Sequence, residues 1–382
     1  MPTSHARLSA SSADRWIHCP GSVTLSEQLP PPPSSDYAEA GTEAHKLAEL
    51  KLRKATGKLD RKQSRELREL REKGRFYDSE MEEATSLYVD MVREEMTAVQ
   101  SKRCLIEQRL DLSFWVPDGF GTSDAVLLGK DTIEVIDFKY GQGVKVSAIQ
   151  NAQIRLYGLG ALDLFGDLND FETIRMTIMQ PRIDHISTEE ISVKELLLWG
   201  EETVQPRAVM AAAGSDYFEA GDWCRFCPGK AVCRKRAEVC QEAARFDFRD
   251  PPLLSDEEIA EILAMLPKLT AWASDVSDYA LQQAIDGTHY EGFKVVEGRS
   301  IRKWSDDLAV ADRLIAAGYD EALLYERKLN GITAMEKLVG KKKLSELVPD
   351  LIIRPQGKPV LVPDTDPRED YHRLTAAEDF AD

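Results

Sequence analysis

The sequence has no apolar run near the roughly 18 residues that a membrane span requires. Met1 to Ala10 is too polar to be the apolar segment of a secretion signal. Both absences lead us to expect a soluble, cytoplasmic protein. Positive charge is in short supply: 49 Lys and Arg stand against 66 Asp and Glu, a formal net charge of −17. A field of that sign repels nucleic acid, so any such contact has to come from local basic patches. A phosphate-binding motor loop is also missing, because every Gly-Lys is followed by Leu, Asp, Ala, Lys or Pro and never by Ser or Thr. The helical His45-Lys46-Leu47-Ala48-Glu49 is not H-E-x-x-H, which sets zinc-protease chemistry aside. Cysteine is scarce, with Cys19, Cys104, Cys224, Cys227, Cys233 and Cys240 the full set. In a chain this long, with no secretion signal expected, clustered cysteines are not first read as a disulfide framework. Four cysteines between 224 and 240 point instead to a metal or cluster site.

What is present is enough to build a core. Hydrophobic residues make up 43% and charged residues 30% of 382 positions, two to three domain-lengths. A short helix is expected near Ser12 to Trp16, followed by the Pro30–Pro33 connector. Apolar spacing then predicts helices over 41–54, 61–74 and 78–99, the last with Met81, Ala84, Leu87, Tyr88, Met91 and Val92 on one side. The period changes to that of strands over 104–112, 120–128 and 132–139, with turns at Pro117-Asp118-Gly119 and Gly129-Lys130-Asp131. A helix over 148–164, a strand over 173–180 and a long helix over 193–213 follow. Helix, three antiparallel strands, helix, strand is an α/β plan. Arg249-Asp250-Pro251-Pro252 reads as a linker, and Ser255 with Glu258 as a capping box for a helix reaching Asp286 that Pro267 kinks. The expected division is an N-terminal segment 1–40 carrying Cys19, a core 41–215, a cysteine region 216–248, a linker and long helix 249–289, and a small α+β appendage 290–382 with an acidic tail.

The chemistry concentrates in Glu134-Val135-Ile136-Asp137-Phe138-Lys139-Tyr140. Alternate strand residues share a face, so Asp137 and Lys139 project together and Phe138 packs opposite. The preceding strand offers Gly121-Thr122-Ser123-Asp124, whose carboxylate a paired strand can bring beside Asp137. Two carboxylates are the usual minimum for holding Mg²⁺. The helix before the sheet supplies Gly41-Thr42-Glu43-Ala44-His45 with Glu49 one turn on, and the helix after it supplies Gln153 and Tyr157 on one face. Each motif alone has a plainer explanation as an ion pair, a solvated turn or a structural histidine.

In this order, the four motifs resemble the RecB-like branch of the PD-(D/E)XK nucleases: G-x-x-x-H, G-x-x-D, hydrophobic-D-x-K, then Q-x-x-x-Y. The resemblance spans Gly41 to Gln180 and implies a restriction-endonuclease-like core. It implies a metal held by His45, Asp124 and Asp137 with the Phe138 carbonyl as a fourth candidate. Lys139 would orient or activate the attacking water, and Gln153 and Tyr157 would support the site or touch the DNA backbone. Mg²⁺ would serve, and the imidazole ligand suggests Mn²⁺ as well.

Cys224-x2-Cys227-x5-Cys233, with Cys19 in His18-Cys19-Pro20-Gly21 some two hundred positions earlier, is similar to the iron–sulfur staple of AddB-type nucleases. The resemblance favours a [4Fe–4S] cluster, while spacing alone leaves Zn²⁺ open. Cys240 is the rival fourth ligand, and Cys104 reads as a buried thiol. Residues 51–75 hold eleven Lys and Arg against four acids, a candidate DNA-backbone patch, and Arg225, Lys230, Arg234, Lys235 and Arg236 form a second. Leu8-Ser9-Ala10-Ser11-Ser12, Trp16 and the late Gly357–Pro363 segment look like a phage-borne family filed as domain of unknown function 2800. The combined expectation is a metal-dependent DNA nuclease, an exonuclease in phage DNA recombination, replication or repair. A phage single-strand-binding protein, recombinase or helicase is the expected protein partner. The alternatives are a catalytically inactive DNA-binding or recombination-assembly protein that keeps the fold, and a zinc-stapled structural protein.

Overall fold

The computed structural model describes residues 6–30, 35–57, 59–244, 256–296 and 307–316, with a few isolated positions between 340 and 348. The chain divides into two compact units, Met1–Gln282 and Gln283–Asp382. The first is a mixed α/β assembly around one five-stranded sheet. Its opening helices are α1 (Ala13–His18), α2 (Gly21–Glu27), α3 (Asp36–Thr56), α4 (Arg61–Lys73) and α5 (Ser79–Ala98). Strands β1 (Cys104–Asp111), β2 (Phe120–Leu128) and β3 (Thr132–Phe138) follow, then α6 (Ala152–Phe165), β4 (Thr173–Gln180) and β5 (His185–Ser192).

Capping side chains punctuate the helices where the sequence supplies them. Ser35 accepts from the Ala38 amide at the start of α3, and Asp60 with Gln63 forms a capping box on α4. Asp78 does the same for α5. The sheet order is β1-β2-β3-β4-β5, antiparallel except for the β3–β4 pair, which runs parallel with α6 as its crossover.

Side-chain alternation sends the two faces of the sheet into two cores. Val126, Val135, Ile174 and Met176 pack with Ile154 and Leu156 of α6 and with Leu8 and Trp16 of the N-terminal segment. The Trp16 indole donates to the Ser9 carbonyl at 3.1 Å, which anchors the Leu8–Ser12 stretch. On the other face Leu127, Ile136 and Phe138 meet Leu47 and Leu50 of α3 and Tyr88 and Val92 of α5. Phe138 and Tyr88 are fully buried and their rings lie 4.8 Å apart. Each such side chain stabilises the fold by about 1.5–3 kcal/mol through area removed from water.

The structure departs from the sequence expectation in several places, beginning with the unexpected α2 and an α3 that starts at Asp36 and not at Gly41. Leu87 is exposed, and Thr85 and Val89 take the inward positions of α5 instead. The helix expected from 148 begins at Ala152, because Asn151 accepts from the amides of Gln153 and Ile154 and so caps it there. The expected 193–213 helix is α7 (Val193–Trp199), a π turn at Gly200–Val204 and α8 (Gln205–Ala212). The wide turn lies directly before Pro206, which has no amide to continue the ladder. Finally, β5 is an additional strand.

Beyond the sheet come a short turn of helix at Asp222–Phe226, then α9 (Arg234–Ala244) and α10 (Asp256–Ile285), which runs on through Pro267. Asp275 of α10 takes ion pairs from Lys230 and Arg236, both at 2.6 Å, and so fastens α10 to the cysteine region. The second unit contains α11 (Asp307–Ala316). Residues 31–33 of the proline connector, the 249–252 linker, Ser255 of the capping box, most of the 290–382 appendage with its tail, and the 357–363 segment lie outside the described residues.

Candidate active site and cysteine cleft

Four separate segments meet at one edge of the sheet. His45 rises from α3, half-buried, and its Nδ1 lies 2.9 Å from Asp124 Oδ1 on β2. The other oxygen of Asp124 accepts the Phe138 backbone amide at 2.7 Å, so Asp124 is held beside the Phe138 peptide. On β3, Asp137 Oδ2 lies 2.9 Å from Lys139 Nζ, yet makes no hydrogen bond of good geometry and is buried. Gln153 of α6 joins these groups. Its carbonyl oxygen accepts from Lys139 Nζ at 3.0 Å, and its amide donates to Asp137 Oδ1 at 3.3 Å and to the Tyr157 hydroxyl at 3.4 Å. Tyr157 in turn explains Gly121, because a Cβ there would sit 2.5 Å from the tyrosine ring. Gly41 has nothing within 4 Å, so packing makes no demand for a glycine at that position.

The electrostatics follow from burial and pairing. Burial raises the Asp137 pKa against the pull of Lys139, and the nearby Asp124 raises it further. Burial opposes the charged forms of Lys139 and His45, but their carboxylate partners outweigh it. Asp137 holds the Lys139 pKa up, and Asp124 holds His45 above its ordinary value. Burial pushes the Tyr157 hydroxyl well up, so it stays protonated while accepting from Gln153.

One acidic residue here carried no sequence signal. Glu107 of β1 lines the same small cleft as His45, Glu49, Tyr88, Asp124 and Phe138. Its φ of 51° lies in the left-handed region, an uncommon conformation for a strand residue other than glycine. Its pKa is pushed up to about 7, first by burial and then by Asp124 and Glu49. Glu49 itself is engaged by Lys46 and Arg53, both at 2.8 Å.

Cys19, Cys224, Cys227 and Cys233 all line one cleft with Arg15, Trp223 and Lys230. The Glu219 and Gly221 amides donate to the sulfurs of Cys19 and Cys224, each at 3.5 Å. Trp223 stacks on His18 at 4.1 Å, joining the two ends of the cleft. Burial raises the Cys19 and Cys224 thiol pKa values. Cys240 is buried on α9 and does not line this cleft. Burial pushes the Cys104 thiol up to about 12. Among the described residues, no three His, Cys, Asp or Glu side chains stand as a ready metal-binding group. At the candidate active site each carboxylate faces a nitrogen of its own, Asp124 the His45 imidazole and Asp137 the Lys139 ammonium.

The basic stretch is partly paired. Arg71 pairs with Glu82, Arg75 with Asp36 and Glu39, Lys62 with Glu66 and Arg65 with Glu69. An open surface groove along α4 is still lined by Arg61, Arg65, Arg68 and Lys73, with Glu69 and Glu72 among them. No described helix is long and apolar enough to cross a membrane.

The family model described as Protein of unknown function (DUF2800) matches residues 5–369, and the chain belongs to that family. A solved structure, described as "Crystal structure of SSO0001", is similar at 14% identity over 56% of this chain and 95% of that chain, with a TM-score of 0.25. A likeness that distant carries no argument about the site.

Proposed function

We propose that this member of the DUF2800 family is a divalent-metal-dependent deoxyribonuclease of the RecB-like PD-(D/E)XK kind, acting as an exonuclease in phage DNA recombination, replication or repair. The observation that carries the reading is that two hydrogen-bonded groups, His45 with Asp124 and Asp137 with Lys139, Gln153 and Tyr157, come together where Asp124 accepts the Phe138 amide next to Asp137. A meeting of four separated motifs is hard to explain as an ordinary surface ion pair.

The donor set fits a hard divalent cation. It has two carboxylates and an imidazole, and Asp137 Oδ2 is buried without a hydrogen bond. His45, Asp124, Asp137 and the Phe138 carbonyl would hold Mg²⁺ or Mn²⁺. Such an ion, when bound, offsets phosphodiester charge and lowers the pKa of water. The chain supplies the rest. Lys139, kept charged by Asp137, adds positive charge where the transition state gathers negative charge. Gln153 fixes the Lys139 ammonium relative to Asp137, and Tyr157 holds Gln153 from behind.

The four-cysteine cleft is proposed to hold a [4Fe–4S] cluster, with Zn²⁺ as the alternative occupant. Its role is to tie the first twenty residues to the region after the core, closing a very long loop. Supporting this are the shared cleft and the amides aimed at two of the sulfurs. Brown, iron-containing protein from anaerobic purification is expected, and the Cys19→Ser variant is expected to lose the iron while Cys240→Ser keeps it. Colourless protein with one equivalent of zinc would decide for zinc.

The activity is tested with end-labelled single- and double-stranded linear DNA beside a circular control, each with Mg²⁺ or Mn²⁺. Loss of linear DNA alone is the expected result. Cleavage of the circle would make the protein an endonuclease, and no cleavage with either metal would leave a DNA-binding protein that keeps the fold.

A further inference from the structure

Between Lys139 and Gln153 the chain crosses the sheet edge as a strap, and the way it is fastened carries an inference of its own. Lys139 directly follows β3 and Gln153 lies in the first turn of α6. The Lys139–Gln153 hydrogen bond of 3.0 Å depends on the height of α6 relative to β3, which the packing of Ile154 and Leu156 and the segment between the two residues set together. That segment has little internal structure, and its glycines at 141 and 143 have open space around them.

Its fixation comes from outside. Gln180, at the end of β4 and 1% exposed, accepts the Val146 amide at 2.7 Å and donates to the Val144 carbonyl at 2.9 Å. Three alternate residues of β5 then take the strap in step. His185 Nε2 lies 3.1 Å from the Val146 carbonyl, an acceptor, so that nitrogen carries the hydrogen. Ser187 Oγ accepts the Ala148 amide at 2.9 Å, and Glu189 Oε1 accepts the Gln150 amide at 2.9 Å. Residues 185, 187 and 189 share one face of β5 by strand periodicity, and they meet strap residues 146, 148 and 150. The last rung is the firmest. Glu189 also forms a buried two-pronged pair with Arg155 of α6 at 2.6 and 2.8 Å. It therefore grips α6 two residues beyond Gln153, from the opposite side of the helix start. Gln150 adopts a φ of 55°, the bend that turns the strap into the Asn151 cap.

We infer that Gln180, Ser187 and Glu189 are positioning residues: a side-chain ladder from β4 and β5 that sets the height of α6, and through it the contact of Gln153 with Lys139 and Asp137. This rests on the nuclease reading of that site. No ladder residue touches the reacting groups, so each acts through the strap. Loosening the ladder is expected to lower kcat and leave KM for DNA nearly unchanged. A misplacement of about 1 Å at a catalytic group costs up to about a hundredfold in rate.

The test is a double-mutant cycle on the full-length protein. Gln180→Leu and, as the milder change in case that variant fails to fold, Ser187→Ala are each made alone and in the Gln153→Ala background, with melting curves to establish folding. The expected result is a kcat lowered about tenfold by Gln180→Leu and about threefold by Ser187→Ala in the otherwise native protein, with less than about a twofold further loss in either once Gln153 is gone. Equal losses in both backgrounds, or a rise in KM with kcat unchanged, would overturn the positioning role while leaving the nuclease reading intact. A wild-type protein that cleaves no DNA with either metal would overturn both.

Discussion

Strand β3 carries two buried carboxylates three residues apart, and they face opposite sides of the sheet toward opposite fates. Asp137 belongs to a well-partnered set. Two carboxylates, Asp137 and Asp124, face the Lys139 ammonium and the His45 imidazole, whose pKa Asp124 holds up against burial, where the His45 side chain is 36% exposed. Glu134 belongs to a poorly partnered one. It is wholly enclosed, accepts from the Thr177 hydroxyl at 2.7 Å, and lies 3.5 Å from the Arg175 guanidinium. Arg175 is shared with Glu95 at 3.2 Å and Glu190 at 3.6 Å, so three carboxylates depend on one cation. One oxygen each of Glu134 and Glu95 has no hydrogen-bond partner. The difference teaches that burial of an acid does not by itself mark a site. A partner for each carboxylate and an opening to solvent separate a place where chemistry can occur from one where an acid merely sits at a cost.

The predictions sharpen that contrast. The largest effect belongs to Asp124→Asn, since Asp124 holds both the imidazole and the Phe138 amide. Cleavage is expected to fall by at least about a hundredfold. The His45 pKa should drop with it, because the Asp124 charge and hydrogen bond are what hold it up against burial. A proton NMR titration of His45 reads the second effect independently of the first.

Gly121→Ala comes next. Its Cβ would lie 2.5 Å from the Tyr157 ring, so the ring must move and Gln153 loses the hydroxyl behind it. About a tenfold loss of kcat and about 1–3 kcal/mol of stability are expected from such overpacking. A variant with normal kcat would show that Tyr157 has no part in the site.

Glu134→Gln has the smallest effect and the opposite sign. Burial raises the Glu134 pKa to about 7, above the ordinary 4.5, with Thr177 opposing it. The folded state therefore binds that proton more tightly than the unfolded state does. The stability contributed is fully present below about pH 4.5 and is lost as pH rises through about 7. Glutamine keeps the Thr177 contact and carries no charge. It should stabilise the protein by about 1–3 kcal/mol at pH 8 and by nothing at pH 4. Urea titrations at the two pH values check this, and equal shifts at both would contradict it.

Much of this was legible in the sequence, for definite reasons. The four strands β1 to β4 alternate or run apolar between clear turns, and Asp124 and Asp137 sit on them. His45, Asp124, Asp137, Lys139, Gln153 and Tyr157 could be named because their four motifs, in order, resemble those of RecB-like nucleases; spacing alone paired only Asp137 with Lys139 and Gln153 with Tyr157. β5 was not legible: His185-Ile186-Ser187-Thr188-Glu189-Glu190-Ile191-Ser192 has too little apolar alternation, and Ile186 is indeed exposed. Its polar residues are there to hold the strap, a tertiary demand that no local pattern announces. Glu107 was hidden for a similar reason, since its approach to the site depends on a left-handed backbone at one strand position. The start of α6 was set by Asn151 rather than by apolar spacing, which runs on into the strap at Ala148.

The measurement that tests the central claim most directly is metal-dependent cleavage of linear DNA by three proteins side by side: wild type, Asp137→Ala and Glu134→Gln. The account predicts that wild type and Glu134→Gln degrade the DNA at similar rates with Mg²⁺ or Mn²⁺ and that Asp137→Ala, folded by its melting curve, does not. Equal activity in all three proteins, or in none, would contradict it.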